Sequence, residues 1–292
     1  MFDRLRRLIA KRKTKDIKYR DDDIAMSGNS METSVFGGMY QVASCQSPGK
    51  ERSHNEDALL TLNFTVLSGE FPVSIGIYIV ADGMGGHQNG ELASRLAVQG
   101  AGGLFIDRIM DLMKSDASTM TEEAFVSIAN EAFARAQDLI IRHAPGGGTT
   151  LTLVFAVNDR LTAAHVGDSR LYRIRKDEMV LLTKDHSLVK RLVELGEISP
   201  SEAENHPQRN ILYRAMGQDD HLVPDVGLFS IDKGDQLMIC SDGLWGVLDD
   251  LQMLSIIQNS SSLNESAALL VSAANEQGGP DNISVVLIKK LA

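Results

Sequence analysis

Four short motifs in this sequence place an acidic residue beside glycine, serine or asparagine, the residue types that form tight turns. They are Arg-Ser-His-Asn-Glu-Asp at residues 52–57, Asp-Gly-Met-Gly-Gly-His at 82–87, Ser-Asp-Gly-Leu-Trp at 241–245 and Gly-Pro-Asp-Asn at 279–282. Either Asp-Gly pair alone would more often be a plain β-turn. Asp82 and Asp242, however, each follow an apolar run that predicts a strand, and so both carboxylates are expected at one edge of a sheet. Gathered carboxylates bind divalent cations.

The ligand types favour Mg²⁺ or Mn²⁺ over Zn²⁺, because they are hard oxygens without a suitable cysteine pair. Gly83 lacks a side chain, so its carbonyl oxygen can approach a cation closely, while the two oxygens of Asp82 can bridge two cations. Two cations about 3.5–4 Å apart lower the pKa of a shared water and stabilise in-line attack on phosphorus. Arg52, four residues before Glu56, carries a planar guanidinium suited to binding phosphate. The alternative role for this side chain is a surface salt bridge. The predicted catalytic residues are Arg52, which also binds substrate, and Asp82.

Six ordered motifs together resemble the PPM family of metal-dependent phosphatases, also called PP2C, and most of all its bacterial branch. They are Arg-x-x-x-Glu-Asp at 52–57, Asp-Gly-x-Gly-Gly at 82–86, Gly-Thr-Thr at 148–150, Val-Gly-Asp-Ser-Arg at 166–170, Ser-Asp-Gly at 241–243 and Asp-Asn at 281–282. The resemblance implies an α+β fold, a four-layer α-β-β-α sandwich of two antiparallel sheets flanked by helices. It also implies hydrolysis of phosphoserine and phosphothreonine in proteins, opposing a Ser/Thr kinase in signalling.

The resemblance further implies which residues bind two core ions, Mn²⁺ or Mg²⁺. Asp82 would bridge both ions. Glu56 and the Gly83 carbonyl would bind one of them, and Asp242 and Asp281 would bind the other.

Three positions near these ligands have open roles. Asp57 would act through a water or support a neighbouring ligand. Asp168 matches a position that helps to hold a third, weaker cation together with Asp242, and the alternative is a turn acid paired with Arg170. Met84 stands where some family members have a histidine proposed as general acid. Methionine cannot donate a proton, so a water held by a cation is the expected donor.

Apolar periodicity predicts the elements that position these motifs. Strands are predicted at residues 72–81, 151–157, 161–166, 170–175, 179–182 and 236–240. Short loops after the second and fourth of these favour antiparallel hairpins. Helices are predicted at 91–113, 125–140, 188–195 and 263–276, and Thr119 with Glu122 resembles a capping box. The folded unit is expected to begin near Tyr40.

We expect two regions, a basic tail and linker at residues 1–38, disordered or partly helical, and a phosphatase domain at 39–292. Residues 187–221 resemble the flap beside the cleft in bacterial relatives. Such a flap would contact the peptide through Arg209 and Arg214 and bring Asn210 near the third cation, and a solvated loop is the alternative. Asp185 and His186, just before the flap, are interpreted as structural rather than catalytic.

Charge is unevenly distributed along the chain. The 29 Lys and Arg residues against 39 Asp and Glu give a net charge of −10, which disfavours nucleic acid as a partner. The tail is basic and could contact a membrane surface or an acidic partner weakly, although a solvated tail is simpler. Two cysteines suit a reducing compartment.

These observations together predict a cytoplasmic monomer that could be peripheral at the membrane only through its tail. Its expected partners are phosphorylated proteins, a Ser/Thr kinase or the targets of that kinase. Two alternatives remain open, a pseudophosphatase that only binds a partner and a metal-dependent hydrolase of small phosphorylated molecules.

Overall fold

The computed structural model describes residues 39–67, 72–85, 88–112, 120–204, 206–218 and 222–291. The predicted basic tail and Thr119 lie outside the described residues. Among the helices that are described, none is both long and apolar enough to cross a membrane.

Two five-stranded antiparallel sheets form the centre of the fold. The strands of the first sheet are β1 (Tyr40–Ser47), β8 (Arg170–Arg175), β9 (Glu178–Leu181), β11 (Gln236–Cys240) and β12 (Ile283–Lys290). The strands of the second are β2 (Ala58–Leu67), β3 (Pro72–Ala81), β6 (Leu151–Val157), β7 (Arg160–Val166) and β10 (Asp225–Phe229). The spatial orders are β1-β12-β11-β8-β9 and β10-β7-β6-β3-β2. A small ladder of β4 (Gly83–Met84) and β5 (Gly148–Thr149) stands beside them.

Helices cover the outer face of each sheet. Helices α1 (Gln88–Leu112) and α2 (Glu122–His143) share an apolar core with the second sheet, while α6 (Asp250–Asn259) and α7 (Leu263–Glu276) share one with the first. The shorter helices are α3 (Leu188–Glu194), α4 (Pro200–Glu204) and α5 (Asp242–Trp245). This arrangement confirms the predicted four-layer α+β sandwich.

The two sheets pack face to face through a third apolar core. Its members include Tyr78 and Val154 from the second sheet and Leu237, Ile239 and Val286 from the first, all fully buried. Full burial of an aliphatic side chain stabilises the fold by about 1.5–3 kcal/mol. Strand β6 is buried along its whole length because a helix layer covers one face and the other sheet covers the opposite face.

Most predicted elements are confirmed within one to three residues. Strands β3, β6, β8 and β11 and helix α7 have the predicted bounds, and α3 ends one residue earlier than predicted. The sequence analysis did not include β1, β2, β10 and β12, although Leu60 to Val66 of β2 alternates apolar and polar residues. The cap of α2 was placed wrongly, since Thr121 is the N-cap and its Oγ1 accepts a hydrogen bond from Ala124 N at 3.3 Å.

Candidate active site

One edge of the sandwich gathers almost all of the predicted site residues. Asp82 follows β3, Asp242 follows β11, Asp281 lies just before β12, and Asp168 lies in the turn between β7 and β8. They line a cavity of about 400 Å³. The other predicted residues that line it are Arg52, Glu56 and Gly83. The structure therefore brings together the residues that the motifs selected, with Asp57 behind them.

The Gly-Thr-Thr motif holds Asp82 by its backbone. Asp82 N donates to Thr150 Oγ1 at 2.9 Å, and Asp82 O accepts from Thr150 N and Thr149 Oγ1, both at 2.8 Å. A Cβ on Gly83 would lie 2.4 Å from Gly90 O and 2.6 Å from another carbonyl oxygen, so only glycine fits between these backbones. These contacts fix Asp82 and Gly83 at the cavity.

Asn282 positions the loop that carries Glu56, a role that the sequence analysis missed. Its Oδ1 accepts from Glu56 N at 2.7 Å, and its Nδ2 donates to the carbonyl oxygens of Pro48 and His54, both at 2.9 Å. Ser94 Oγ donates to Glu56 O at 2.5 Å. The Asp-Asn motif thus ties residues 48–56 to the start of β12.

Asp57 is turned away from the cavity into the protein. Its Oδ2 accepts from Ser241 Oγ at 2.9 Å and from Ser284 Oγ at 2.6 Å. Its Oδ1 is buried and accepts no hydrogen bond from the described part of the chain. Burial raises the pKa of Asp57 to about 7, against the lowering effect of both serines. A buried carboxylate oxygen without a donor is suited to a cation or a cation-bound water.

Three further carboxylates have raised pKa values: Asp168 is buried, and Asp82 and Asp242 are half-buried at the cavity. Burial, followed by the repulsion of neighbouring carboxylates, raises the pKa of Asp82 and of Asp168 well above 3.8. Burial and the charge of Asp281 raise the pKa of Asp242 to about 6, while a hydrogen bond with Asp82 acts in the opposite direction. Such an array is costly unless positive charge compensates it. The set of oxygen donors therefore fits divalent cations.

Two of the predicted ligands, Asp281 and Glu56, contact an arginine and a histidine side chain. Arg52 Nη2 lies 2.8 Å from Asp281 Oδ2, and His54 Nε2 lies 3.2 Å from Glu56 Oε1. Within the described residues, no three His, Cys, Asp or Glu side chains are gathered closely enough to hold one ion in this conformation.

Asp168 is held by its backbone rather than by Arg170. Trp245 Nε1 donates to Asp168 O at 3.1 Å. Arg170 instead forms a bidentate pair with Asp185, at 3.1 and 2.7 Å, and lies 3.6 Å over the Trp245 ring. Among the described residues Asp168 forms no ion pair with Arg170, because the guanidinium is paired with Asp185, although the charge of Arg170 acts to lower the pKa of Asp168. The Asp185–Arg170 pair fits the structural role expected of Asp185.

Two other expectations are corrected. Asp242 does not lie in an Asp-Gly bend; it begins the short helix α5, with Ser241 as N-cap. In the predicted flap, Asn210 lines the cavity, but Arg214 pairs with Asp225 and contacts His186, so it is not directed at a substrate.

The sandwich and its acidic cavity, with Arg52 at the rim, define a class, the metal-dependent phosphatases. A family model described as Protein phosphatase 2C matches residues 50–287, and the chain belongs to this family. The serine/threonine phosphatase stp of Listeria innocua is 35% identical over 248 residues, which cover 83% of this chain and 92% of that protein.

Solved structures agree with this assignment. The S. agalactiae serine/threonine phosphatase has a TM-score of 0.74 and 32% identity, covering 86% of this chain and 99% of that one. The catalytic domain of PstP, in complex with two manganese ions, has a TM-score of 0.69 and 29% identity, covering 87% and 99%. The chain is a metal-dependent protein serine/threonine phosphatase.

Proposed function

We propose that this phosphatase uses two divalent cations, Mn²⁺ or Mg²⁺, to hydrolyse phosphoserine and phosphothreonine in proteins, opposing a Ser/Thr kinase. The observation that carries the proposal is the array of buried and half-buried carboxylates in and behind one cavity, with raised pKa values at Asp57, Asp82, Asp168 and Asp242. Such an array is stable in its charged form only with compensating positive charge.

Each proposed ligand group comes from its own turn at the sandwich edge. Asp82 lies centrally and is proposed to bridge the two cations, with Glu56 and the Gly83 carbonyl on one side and Asp242 and Asp281 on the other. When bound, the cations would supply a water nucleophile of lowered pKa and stabilise charge on the phosphate. The two manganese ions bound by PstP support a two-cation site.

Arg52 is proposed to bind the phosphate of the substrate. Its side chain is 52% exposed at the cavity and its partner is Asp281, whose charge is then available for a cation when Arg52 turns to phosphate. A planar guanidinium binds two phosphate oxygens at once, which orients phosphorus for in-line attack.

The position after Gly83 does not supply a proton for the leaving alcohol. Met84 lines the cavity there, and its thioether cannot donate a proton. A water in the cavity is therefore the proposed donor. Asp168 and Asp242 are proposed to hold a third cation nearby, since both line the cavity and the charge of Asp242 contributes to the raised pKa of Asp168.

The test is phosphate release from a phosphothreonine peptide. We expect activity to be lost in EDTA, to return with Mn²⁺ and to fall by at least about 100-fold in Asp82→Asn, because one bridging charge is removed. Glu178→Gln, at an exposed position of β9 outside the cavity and the flap, is the control and should retain activity. If Asp82→Asn hydrolysed the peptide with Mn²⁺ as fast as the parent, the two-cation mechanism would be wrong.

A further inference from the structure

Gly167, the residue before Asp168, is bound on both sides by His186. Gly167 N donates to His186 Nδ1 at 3.0 Å, and Gly167 O accepts from His186 N at 2.7 Å. The backbone at Gly167 has φ +112°, and a Cβ there would lie 2.6 Å from the Thr150 side chain. Because the position of Asp168 follows from the orientation of the preceding peptide, His186 fixes the start of the turn that presents Asp168.

The His186 ring is itself held firmly. Its side chain is 1% exposed, and its Nε2 lies 3.1 Å from Asp225 Oδ2. Since Nδ1 accepts from Gly167, the neutral ring carries its proton on Nε2 and donates it to Asp225. Arg214 pairs with the same Asp225 and contacts the ring. The ring centroid of His165 lies 4.9 Å away.

His186 also lies where the flap, residues 187–221, leaves the sandwich. His186 O accepts from Tyr213 N at 2.9 Å, and Leu188 N donates to Ile211 O at 2.7 Å, so the two ends of the flap pair beside it. Arg214, which contacts the ring, belongs to the returning end. One residue therefore contacts both the base of the flap and the turn that carries Asp168.

Trp245 holds the other side of the same turn. Its indole nitrogen donates to Asp168 O at 3.1 Å, and it belongs to helix α5, which Asp242 begins. Trp245 is the single tryptophan of the sequence. Its fluorescence consequently reports on the surroundings of the Asp168 turn without interference from other tryptophans.

We propose that His186 is a positioning residue that holds Asp168 in place for a cation and ties this position to the base of the flap through Asp225 and Arg214. The inference rests on the proposed function, in that Asp168 and Asp242 bind a cation. His186 does not touch substrate, and it acts through the backbone of Gly167.

The experiment titrates Mn²⁺ into the full chain and follows Trp245 emission, with phosphopeptide hydrolysis measured in parallel. Three variants are compared, His186→Ala, His186→Asn and Asp168→Asn, with His143→Ala at the exposed end of α2 as the matched control. The asparagine can place Oδ1 where Nδ1 accepts from Gly167 N, but it loses the bond to Asp225. Thermal melts establish that every variant is folded at the titration temperature.

We expect Asp168→Asn to remove the weaker phase of the emission change. His186→Ala should raise the Mn²⁺ concentration at the midpoint of the weaker phase by about 10-fold or more. This is the usual effect of losing a residue that orients a metal ligand. His186→Asn should restore most of the affinity, and His143→Ala should match the parent. If His186→Ala is unfolded, the Mn²⁺ titration of His186→Asn is used in its place. A His186→Asn curve that lies between those of the parent and Asp168→Asn would then support the positioning role.

Two outcomes overturn the inference, and they are distinguishable. If Asp168→Asn removes the weaker phase while folded His186→Ala titrates like the parent, the positioning role is wrong and the proposed function stands. If Asp168→Asn itself leaves every phase unchanged, no cation binds at Asp168, and the positioning role is wrong together with that part of the proposed function.

Discussion

Replacing Asp242 by asparagine should stabilise the protein in EDTA while destroying its cation site. Burial, followed by the charge of Asp281, raises the pKa of Asp242 from 3.8 to about 6. A carboxyl whose pKa is higher in the folded state than in the unfolded state destabilises the fold as pH rises through that window. The asparagine side chain has nearly the same shape as aspartate without the charge, so Asp242→Asn removes this penalty.

The size of the effect follows from the two pKa values. A difference of about two pH units, at about 1.36 kcal/mol for each, corresponds to roughly 3 kcal/mol above pH 6. At about pH 4.5 the carboxyl is mostly protonated in the folded state and partly protonated in the unfolded state. The destabilisation by Asp242 then falls to about 1 kcal/mol by the same relation. The advantage of Asp242→Asn should therefore be large at about pH 7.5 and small at about pH 4.5.

Urea unfolding in EDTA at both pH values measures this advantage, with Glu178→Gln as the exposed control. At the higher pH the midpoint should rise by up to about 1 M. At about a thousandfold excess of Mn²⁺ over its Kd the parent gains about 4.1 kcal/mol, which exceeds the advantage of the variant. Because the variant loses most of that gain, the order of stability should then reverse. A variant no more stable than the parent in EDTA at the higher pH, or equally favoured at both pH values, would refute the reasoning.

Two further substitutions test the phosphate contact and the backbone at the site. Arg52→Lys should raise KM for a phosphothreonine peptide by about 10-fold or more, because a lysine cannot make the bidentate contact, and steady-state kinetics with unchanged thermal stability would show it. Gly83→Ala should lower both the activity and the melting temperature, because the added Cβ would lie 2.4 Å from Gly90 O. An active variant with the parent's melting temperature would show that the two backbones can separate.

The sequence was sufficient for elements and residue types that depend on local pattern. The apolar runs of β3, β6 and β11 and the periodic face of α2 predict their own structure, because alternation and helical spacing are properties of neighbouring residues. Edge strands such as β1 and β10 escaped prediction, since each pairs along one side only and its partner, β12 or β7, lies far away in the chain.

The carboxylates of the site were likewise selected from the sequence by type, order and adjacent turn residues. Only the tertiary structure showed that Asp57 turns inward onto Ser241 and Ser284, which are 184 and 227 residues away. Contacts of this range depend on which strands become neighbours, and no local pattern encodes them.

The same reason explains the basic side chains. The sequence suggested Asp168 as a partner of Arg170 and a substrate peptide as the contact of Arg214, whereas folding pairs these arginines with Asp185 and Asp225. The sequence by itself determined which chemistry this protein can perform, through the acids and the arginine of its motifs. The packing of two sheets decided which of those groups face the cavity and which support it, because burial and long-range hydrogen bonds set side-chain direction and charge.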